Sequence, residues 1–222
     1  MTWIKICGIT NLEDAQAAVT AGANALGFVF YDKSPRNVNT RSAHDIVRQL
    51  PGTIEKIGVF PEHSMEDAVD LARQIGLTGV QLYPLMWRTA SSNPALGTRD
   101  ISMLWAMPAD LLLRKGARWM HFASPRPEMI RVLLDSTTSQ QPGGTGQAFE
   151  WARAARFIAE IKQQIDVVVA GGLQPTNVRE AIRILQPWGV DVSSGVEVRA
   201  GRKDPDKIKA FIAAVRDCEQ PD

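Results

Sequence analysis

Two residues able to exchange protons with a substrate stand at the ends of apolar segments. Cys7 ends the segment Trp3–Cys7, and Asp135 directly follows the apolar residues 132–134. A thiolate is a base and a protonated carboxyl group is an acid, so the two residue types match general acid–base catalysis. Taken alone, Cys7 is also compatible with a small core residue, and Asp135 with a cap of the following turn.

Turns containing glycine follow two later apolar segments. Gly171 and Gly172 follow one of these segments, and Ser194 and Gly195 follow another. Glycine lets a backbone approach an anion closely, and backbone N–H groups in such turns can bind phosphate oxygens. Each turn alone is equally compatible with a tight turn that binds nothing.

Two loop-like segments contain further candidate binding residues. Arg36 ends the polar segment 32–36, and its guanidinium can hold a planar carboxylate through two parallel hydrogen bonds. Gly144 and Gly146 belong to the glycine-rich segment 143–146. On composition alone, that segment is a flexible loop and Arg36 is a solvated surface residue.

Eight short apolar segments predict the strands that position these residues. Several are apolar throughout, which is typical of parallel strands covered on both faces. The predicted strands are 3–7, 25–30, 54–60, 79–82, 101–106, 130–134, 166–170 and 190–192, with 118–123 as a rival for the fifth.

Helix signals lie between the predicted strands. Asn11 is a predicted N-cap, Ser64 with Asp67 forms a box-like helix start, and a further helix is expected over 178–185. Residues 84–97 contain two prolines and a Ser-Ser-Asn stretch, so the fourth helix is expected to be short or irregular.

This alternation predicts an α/β protein with a single (β/α)8, or TIM, barrel as one catalytic domain over residues 1–222. An open doubly wound sheet is the alternative, but its GxGxxG motif is missing after the first strand, where the chain reads Cys7-Gly8-Ile9-Thr10. Barrel active sites lie at the carboxyl ends of the strands, and phosphate is commonly bound after strands 7 and 8. The two glycine turns therefore favour a phosphorylated substrate.

Composition and charge exclude several classes of protein. A net charge of +1 favours neither nucleic acid nor an anionic membrane as a partner. No apolar stretch suits a membrane helix or a signal peptide, so we expect a soluble, cytoplasmic protein. The two cysteines and three histidines show no disulfide framework and no metal-ligand spacing: Cys7, Cys218, His44, His63 and His121.

Seven segments, in order along the chain, carry a similarity to one known family. They are Lys5-Ile6-Cys7-Gly8-Ile9, Gly27-Phe28-Val29-Phe30 with Ser34-Pro35-Arg36, Lys56-Ile57-Gly58-Val59-Phe60, Leu133-Leu134-Asp135-Ser136, Gly143-Gly144-Thr145-Gly146, Ala170-Gly171-Gly172-Leu173 and Asp191-Val192-Ser193-Ser194-Gly195. In these segments the chain resembles the phosphoribosylanthranilate isomerases of tryptophan biosynthesis. The resemblance runs from end to end.

The resemblance implies an Amadori rearrangement of N-(5-phosphoribosyl)anthranilate on the same barrel, with no metal or organic cofactor. It assigns Cys7 as the base that removes the proton from sugar carbon C2, and Asp135 as the acid that protonates the ring oxygen. It places Arg36 against the anthranilate carboxylate. It also implies a phosphate cradle and a neighbouring loop, formed by Gly171, Gly172, Ser194 and Gly195 with Gly144 and Gly146.

One region departs from the family pattern. Leu82-Tyr83-Pro84 stands where the family usually has Leu-His-Gly, and residues 102–106 lack the basic residue common on strand 5. Two alternatives therefore stay open: a histidine-pathway aldose–ketose isomerase, and a non-catalytic barrel that binds a phosphorylated metabolite. The first generally uses an acidic residue on strand 1, where this chain has Cys7. We expect a monomer or a homodimer.

Overall fold

Eight parallel strands close into a barrel, in which each strand pairs with the next and the last pairs with the first. The computed structural model describes residues 1–83, 100–109, 130–136 and 151–219. Closure rules out the open sheet, and the (β/α)8 prediction is confirmed. The strands are β1 (Trp3–Cys7), β2 (Ala25–Val29), β3 (Glu55–Phe60), β4 (Gly79–Leu82), β5 (Ser102–Pro108), β6 (Ile130–Asp135), β7 (Asp166–Val169) and β8 (Gly189–Val192).

Helices follow most of the strands and cover the outside of the barrel. Among the described residues they are α1 (Leu12–Ala21), α2 (Thr40–Val47), α3 (Met65–Ile75), α4 (Trp151–Ile161), α5 (Val178–Leu185) and α6 (Pro205–Asp217). A 3-10 turn over Ser194–Val196 leads from β8 into a small hairpin of β9 (Glu197–Arg199) and β10 (Arg202–Lys203). Within the described segments, no helix combines the length and apolarity needed to cross a bilayer.

Local capping signals set where the helices begin. The Asn11 side chain accepts a hydrogen bond from the Asp14 N–H, and Ser64 accepts one from the Asp67 N–H, as the sequence predicted. Asn177 behaves differently, because its side chain makes no cap bond to α5. Its Oδ1 accepts from the Gln174 N–H instead, and its Nδ2 donates to the Gly172 carbonyl, both at 2.9 Å, so Asn177 holds the turn after β7 in place.

The inward-facing residues of the strands fill the barrel interior, because side chains alternate between the two faces of a strand. Eight of these residues form an apolar cluster: Trp3, Ala25, Ile57, Leu104, Ala106, Leu133, Val168 and Ala170. On β2, Gly27 leaves room for larger neighbouring side chains. A Cβ atom there would lie 2.7 Å from Cys7 Sγ and 3.1 Å from Lys5 Cε. The missing side chain at Gly27 therefore leaves space inside the barrel for Cys7 and Lys5.

Several predictions fall on residues that the structure does not describe. The expected short fourth helix within 84–97 and the rival strand at 118–123 lie outside the described residues, as do Gly144 and Gly146. The fifth position in the barrel is taken by Ser102–Pro108, in line with the predicted strand at 101–106.

Candidate active site

A cavity of about 210 Å³ opens at the carboxyl ends of the strands. Cys7 from β1, Arg36 from the loop after β2 and Asp135 from β6 all line it. Residues more than 120 positions apart in the sequence therefore meet around one space. The remaining lining residues are Val29, Tyr31, Lys33, Ser34, Pro35, Val59, Pro61, Gln81, Tyr83, Asp191 and Ser193.

Cys7 is the last residue of β1, and its side chain is 8 % exposed at the cavity wall. Burial raises the pKa of its thiol, because a thiolate loses solvation there, and the positive charge of Lys5 opposes that effect only in part. The thiol therefore keeps its proton to higher pH than an exposed cysteine would.

A buried charged cluster lies directly beneath Cys7. Lys5 is fully buried, and its ammonium donates to Asp191 Oδ1 at 2.9 Å and to Gln81 Oε1 at 3.0 Å. Burial alone would lower the pKa of Lys5, but the attraction of Asp191 raises it above the ordinary value. Lys5 thus remains a cation within electrostatic reach of the Cys7 sulfur.

Asp135 ends β6, as predicted, and pairs in register with Pro108 at the end of β5. Its side chain is almost buried and lines the cavity. Cys7 and Asp135 stand on strands that are three places apart around the barrel. They can therefore act on different atoms of one ligand.

Arg36 reaches the cavity, but its guanidinium is already paired. Its Nε and Nη2 donate to the two carboxylate oxygens of Glu197 at 2.9 and 2.8 Å, and Lys203 also binds Glu197 at 2.8 Å. Burial disfavours the charged carboxylate, but Arg36 and Lys203 together hold the pKa of Glu197 below its ordinary value. The pairing uses two of the five guanidinium N–H donors, and the other three donate to no acceptor among the described residues.

The predicted glycine turns lie side by side at the carboxyl ends of β7 and β8. Gly171 and Gly172 have positive φ angles of 85° and 66°, which glycine adopts readily. A Cβ atom on Gly195 would come within 1.9 Å of the Leu173 carbonyl oxygen, so the two turns touch. Within the described chain, the backbone N–H groups of both glycines, Ser194 and Gly195 donate to no acceptor.

Comparisons with known proteins decide the family. A family model described as N-(5'phosphoribosyl)anthranilate (PRA) isomerase matches residues 4–214. The chain belongs to the N-(5'-phosphoribosyl)anthranilate isomerase family. The family, the isomerase function and the barrel fold predicted from the sequence are confirmed.

Individual relatives of this isomerase agree over nearly its whole length. The N-(5'-phosphoribosyl)anthranilate isomerase of Prosthecochloris aestuarii is 38% identical over 99% of this chain and 96% of the relative. The crystal structure of phosphoribosyl anthranilate isomerase from Thermotoga maritima is 34% identical, with a TM-score of 0.79 over 98% of this chain and 100% of that one.

A solved isomerase of the family contains a ligand. It holds reduced 1-(o-carboxyphenylamino)-1-deoxyribulose 5-phosphate and is 33% identical, with a TM-score of 0.76 over 98% of this chain and 100% of that one. Within the described residues of this isomerase, no three His, Cys, Asp or Glu side chains are grouped to hold a metal ion.

The resemblance left the β4 side of this isomerase unexplained, and the structure places Tyr83 in the cavity wall. Its hydroxyl accepts a hydrogen bond from Gln81 Nε2 at 3.0 Å. Burial, with the nearby negative charge of Asp135, raises the pKa of Tyr83 far above its ordinary value. Tyr83 is therefore a neutral phenol at any physiological pH.

Sequence reasoning assigned no role to Lys5, Gln81 and Asp191. A signal for them was present, because Lys5 and Asp191 are charged residues inside otherwise apolar strands. Lys5 also stands two residues before Cys7, and so on the same face of β1. Sequence reasoning likewise did not anticipate that the Glu197 carboxylate would accept hydrogen bonds from the Arg36 guanidinium.

Proposed function

We propose that this cavity converts N-(5'-phosphoribosyl)anthranilate to 1-(2-carboxyphenylamino)-1-deoxyribulose 5-phosphate, with Cys7 as the base and Asp135 as the acid. The observation that carries the proposal is that both residues and Arg36 line one cavity. Each was assigned separately, at positions far apart in the sequence, and the fold brings them together.

The reaction needs a proton donor and a proton acceptor in turn. Asp135 gives its proton to the ring oxygen, the bond between C1 and that oxygen breaks, and the nitrogen lone pair forms a Schiff-base cation. The cation acidifies C2, and the Cys7 thiolate removes the C2 proton to give an enolamine. The C2 hydroxyl then loses its proton while C1 gains one, which yields the ketose.

Lys5 helps to explain how a buried thiol can act as a base. Burial favours the neutral thiol, but the Lys5 ammonium, held by Asp191 and Gln81, attracts the thiolate once it forms. The cation is fixed before the reaction, so it costs no rearrangement when the charge develops on Cys7.

The two ends of the substrate have separate anchors. We assign the phosphate to the turns after β7 and β8, whose backbone N–H groups donate to no acceptor in the described chain. We assign the anthranilate carboxylate to the remaining donors of Arg36, held in place by Glu197. Gly144 and Gly146 stay predicted neighbours of the phosphate.

One assay tests the function itself. Purified protein is mixed with freshly made N-(5'-phosphoribosyl)anthranilate, and separately with the histidine-pathway aldose substrate, and the ketose products are measured by chromatography. Turnover of the first substrate alone is expected. Turnover of only the second would make this a histidine-pathway isomerase, and turnover of neither would make it a binding protein.

Replacing Gly172 with valine tests the phosphate cradle. The added side chain should block the backbone N–H groups, raising KM roughly 10- to 100-fold, the equivalent of about 1.5–3 kcal/mol for hydrogen bonds to a charged group. Steady-state kinetics and inhibition by inorganic phosphate measure the effect, and the inhibition constant should rise in parallel.

Gly22→Val is the matched control, because Gly22 also has a positive φ, 98°, but ends α1 at the other end of the barrel. It should lower the melting temperature through a backbone cost of about 1–2 kcal/mol and leave KM unchanged. Equal KM increases in both variants would refute the cradle.

Replacing Arg36 with methionine tests the carboxylate anchor. Binding of the reduced product analogue should weaken by about 1.5–3 kcal/mol, typical of a hydrogen bond between charged groups. Arg36→Lys should recover only part of the loss, since an ammonium has no two-pronged geometry. Inhibition by inorganic phosphate, which has no anthranilate carboxylate, should change much less. An unchanged kcat/KM in the methionine variant would leave Arg36 as a partner of Glu197 only.

Three broader predictions remain proposals. We propose that residues 1–222 are one catalytic domain, that the protein works as a monomer or homodimer without nucleic acid or membrane, and that it resides in the cytoplasm. A relative from Thermotoga maritima is described as dimeric, which supports testing for a homodimer first. Light scattering on the purified chain distinguishes the two assembly states.

A further inference from the structure

A chain of hydrogen bonds runs from the barrel interior to Tyr83. An ammonium group only donates hydrogen bonds, so the Gln81 atom that Lys5 contacts at 3.0 Å must be the amide oxygen. The amide nitrogen of Gln81 then faces the other way, and it donates to Tyr83 Oη at 3.0 Å. Because Asp191 holds Lys5 at 2.9 Å, the direction of every bond in this chain is determined.

The Tyr83 hydroxyl is consequently left with a proton to donate. Its oxygen accepts from Gln81, and among the described residues no acceptor is bonded to its own O–H. The side chain lines the cavity, and burial keeps the phenol protonated. The O–H is therefore available to a ligand in the cavity.

The surroundings of Tyr83 indicate which part of a ligand it meets. The ring packs against the apolar cluster of Cys7, Val29 and Val59, and the hydroxyl lies within electrostatic reach of Asp135 and Cys7. These two residues are the assigned acid and base, which act on the sugar. The assigned phosphate and carboxylate anchors stand on other elements, after β7, β8 and β2.

We propose that Tyr83 is a positioning residue that donates a hydrogen bond to a sugar oxygen of the bound substrate, oriented by Gln81, Lys5 and Asp191. The inference rests on the proposed function. Position 83 is also where this chain departs from the Leu-His-Gly pattern of the family. The phenol supplies a neutral donor that does not titrate with the acid–base pair.

Tyr83→Phe removes the hydroxyl and keeps the ring. Binding of reduced 1-(o-carboxyphenylamino)-1-deoxyribulose 5-phosphate should weaken about 2- to 10-fold, the size expected for one neutral hydrogen bond. KM for the substrate should rise by a similar factor with a smaller change in kcat. Inhibition by inorganic phosphate, which has no sugar oxygen, should keep its constant.

Tyr31→Phe is the comparison variant, because Tyr31 carries the other tyrosine hydroxyl at the cavity and packs against the same Cys7 cluster. Within the described residues, no amide orients its hydroxyl. Equal losses of analogue affinity in the two variants would overturn the assignment, since they would reflect cavity polarity in general.

Gln81→Glu tests the orientation of the donor. A carboxylate at this position has no N–H to donate, so the Tyr83 O–H would turn towards it and away from the ligand. Analogue binding should weaken, and Tyr83→Phe added to Gln81→Glu should weaken it further by less than about 2-fold. Additive losses in this double-mutant cycle would overturn the proposed chain, because independent sites add. Gln81→Glu and the double variant carry the same extra negative charge, so the effect of that charge cancels when these two are compared.

Measurements on the wild-type protein distinguish a failure of the proposed function from a failure of the proposed role of Tyr83. A wild-type protein that neither turns over N-(5'-phosphoribosyl)anthranilate nor binds the analogue would refute the proposed function. A wild type that does both, with Tyr83→Phe binding the analogue as tightly, would refute only the role of Tyr83. Melting temperatures of all variants show that each loss arises in a folded protein.

Discussion

Replacing Cys7 with alanine is expected to lower kcat by roughly 10²–10⁴-fold, the usual contribution of a general base. The change in KM should be much smaller, since the substrate is anchored through other groups. Cys7→Ser should fail as well, because a hydroxyl is a far weaker base than a thiolate at the same position. Steady-state kinetics with melting temperatures give the measurement. An alanine variant with near-normal kcat would refute the proposed mechanism, even if the barrel fold and the substrate were correct.

The pH dependence gives a second measurement on the same residue. Only the thiolate reacts with an alkylating reagent, so the rate of Cys7 alkylation in the free enzyme should rise with pH through the pKa of Cys7. Burial raises that pKa, so the midpoint should lie above about 8.5, the value for an unperturbed thiol. Below the midpoint, each pH unit should cost about tenfold in rate. A midpoint well below 8.5 would contradict this direction.

Alkylation locates the thiol in solution. Irreversible alkylation of Cys7 should abolish turnover, and bound product analogue should protect the residue, because it lines the cavity. Cys218, the other cysteine and only partly buried near the end of the chain, provides an internal comparison. Its alkylation rate should not respond to the analogue.

Replacing Asp135 with asparagine should produce a loss of the same order, about 10²–10⁴-fold in kcat. The amide matches the carboxyl group in shape but has no proton acidic enough to open the furanose ring. Binding of the reduced product analogue, whose sugar chain is already open, should change much less than kcat. This split between binding and turnover distinguishes an acid from a residue that only shapes the site.

A surface aspartate serves as the matched control for Asp135. Asp206 lies in the first turn of α6 with its side chain almost fully exposed, so Asp206→Asn should leave kcat unchanged. Asp135→Asn with kcat equal to that of the control would return Asp135 to the role of a turn cap.

Local patterns determined the strands and several helix starts of this protein. Segments such as Trp3–Cys7 and Gly79–Leu82 have the predicted ends, because apolar residues stop where turn-forming or polar residues begin. The caps at Asn11 and Ser64 are equally local, since each side chain bonds a backbone group three residues away. Asn177 does not cap α5, because its Oδ1 accepts from the Gln174 N–H and its amide nitrogen donates to the Gly172 carbonyl, both in the preceding turn.

The sequence by itself also predicted an acid, a base and two glycine turns, through residue type at strand ends and through the family resemblance. Only the tertiary structure decided which charges meet. Lys5 and Asp191 are 186 residues apart, and Arg36 and Glu197 are 161 apart. Such pairs depend on barrel closure and strand register, which bring distant residues to the same height in the interior. A local pattern contains no information on that height, so neither the orientation of Tyr83 nor the pairing of Arg36 could be predicted from it.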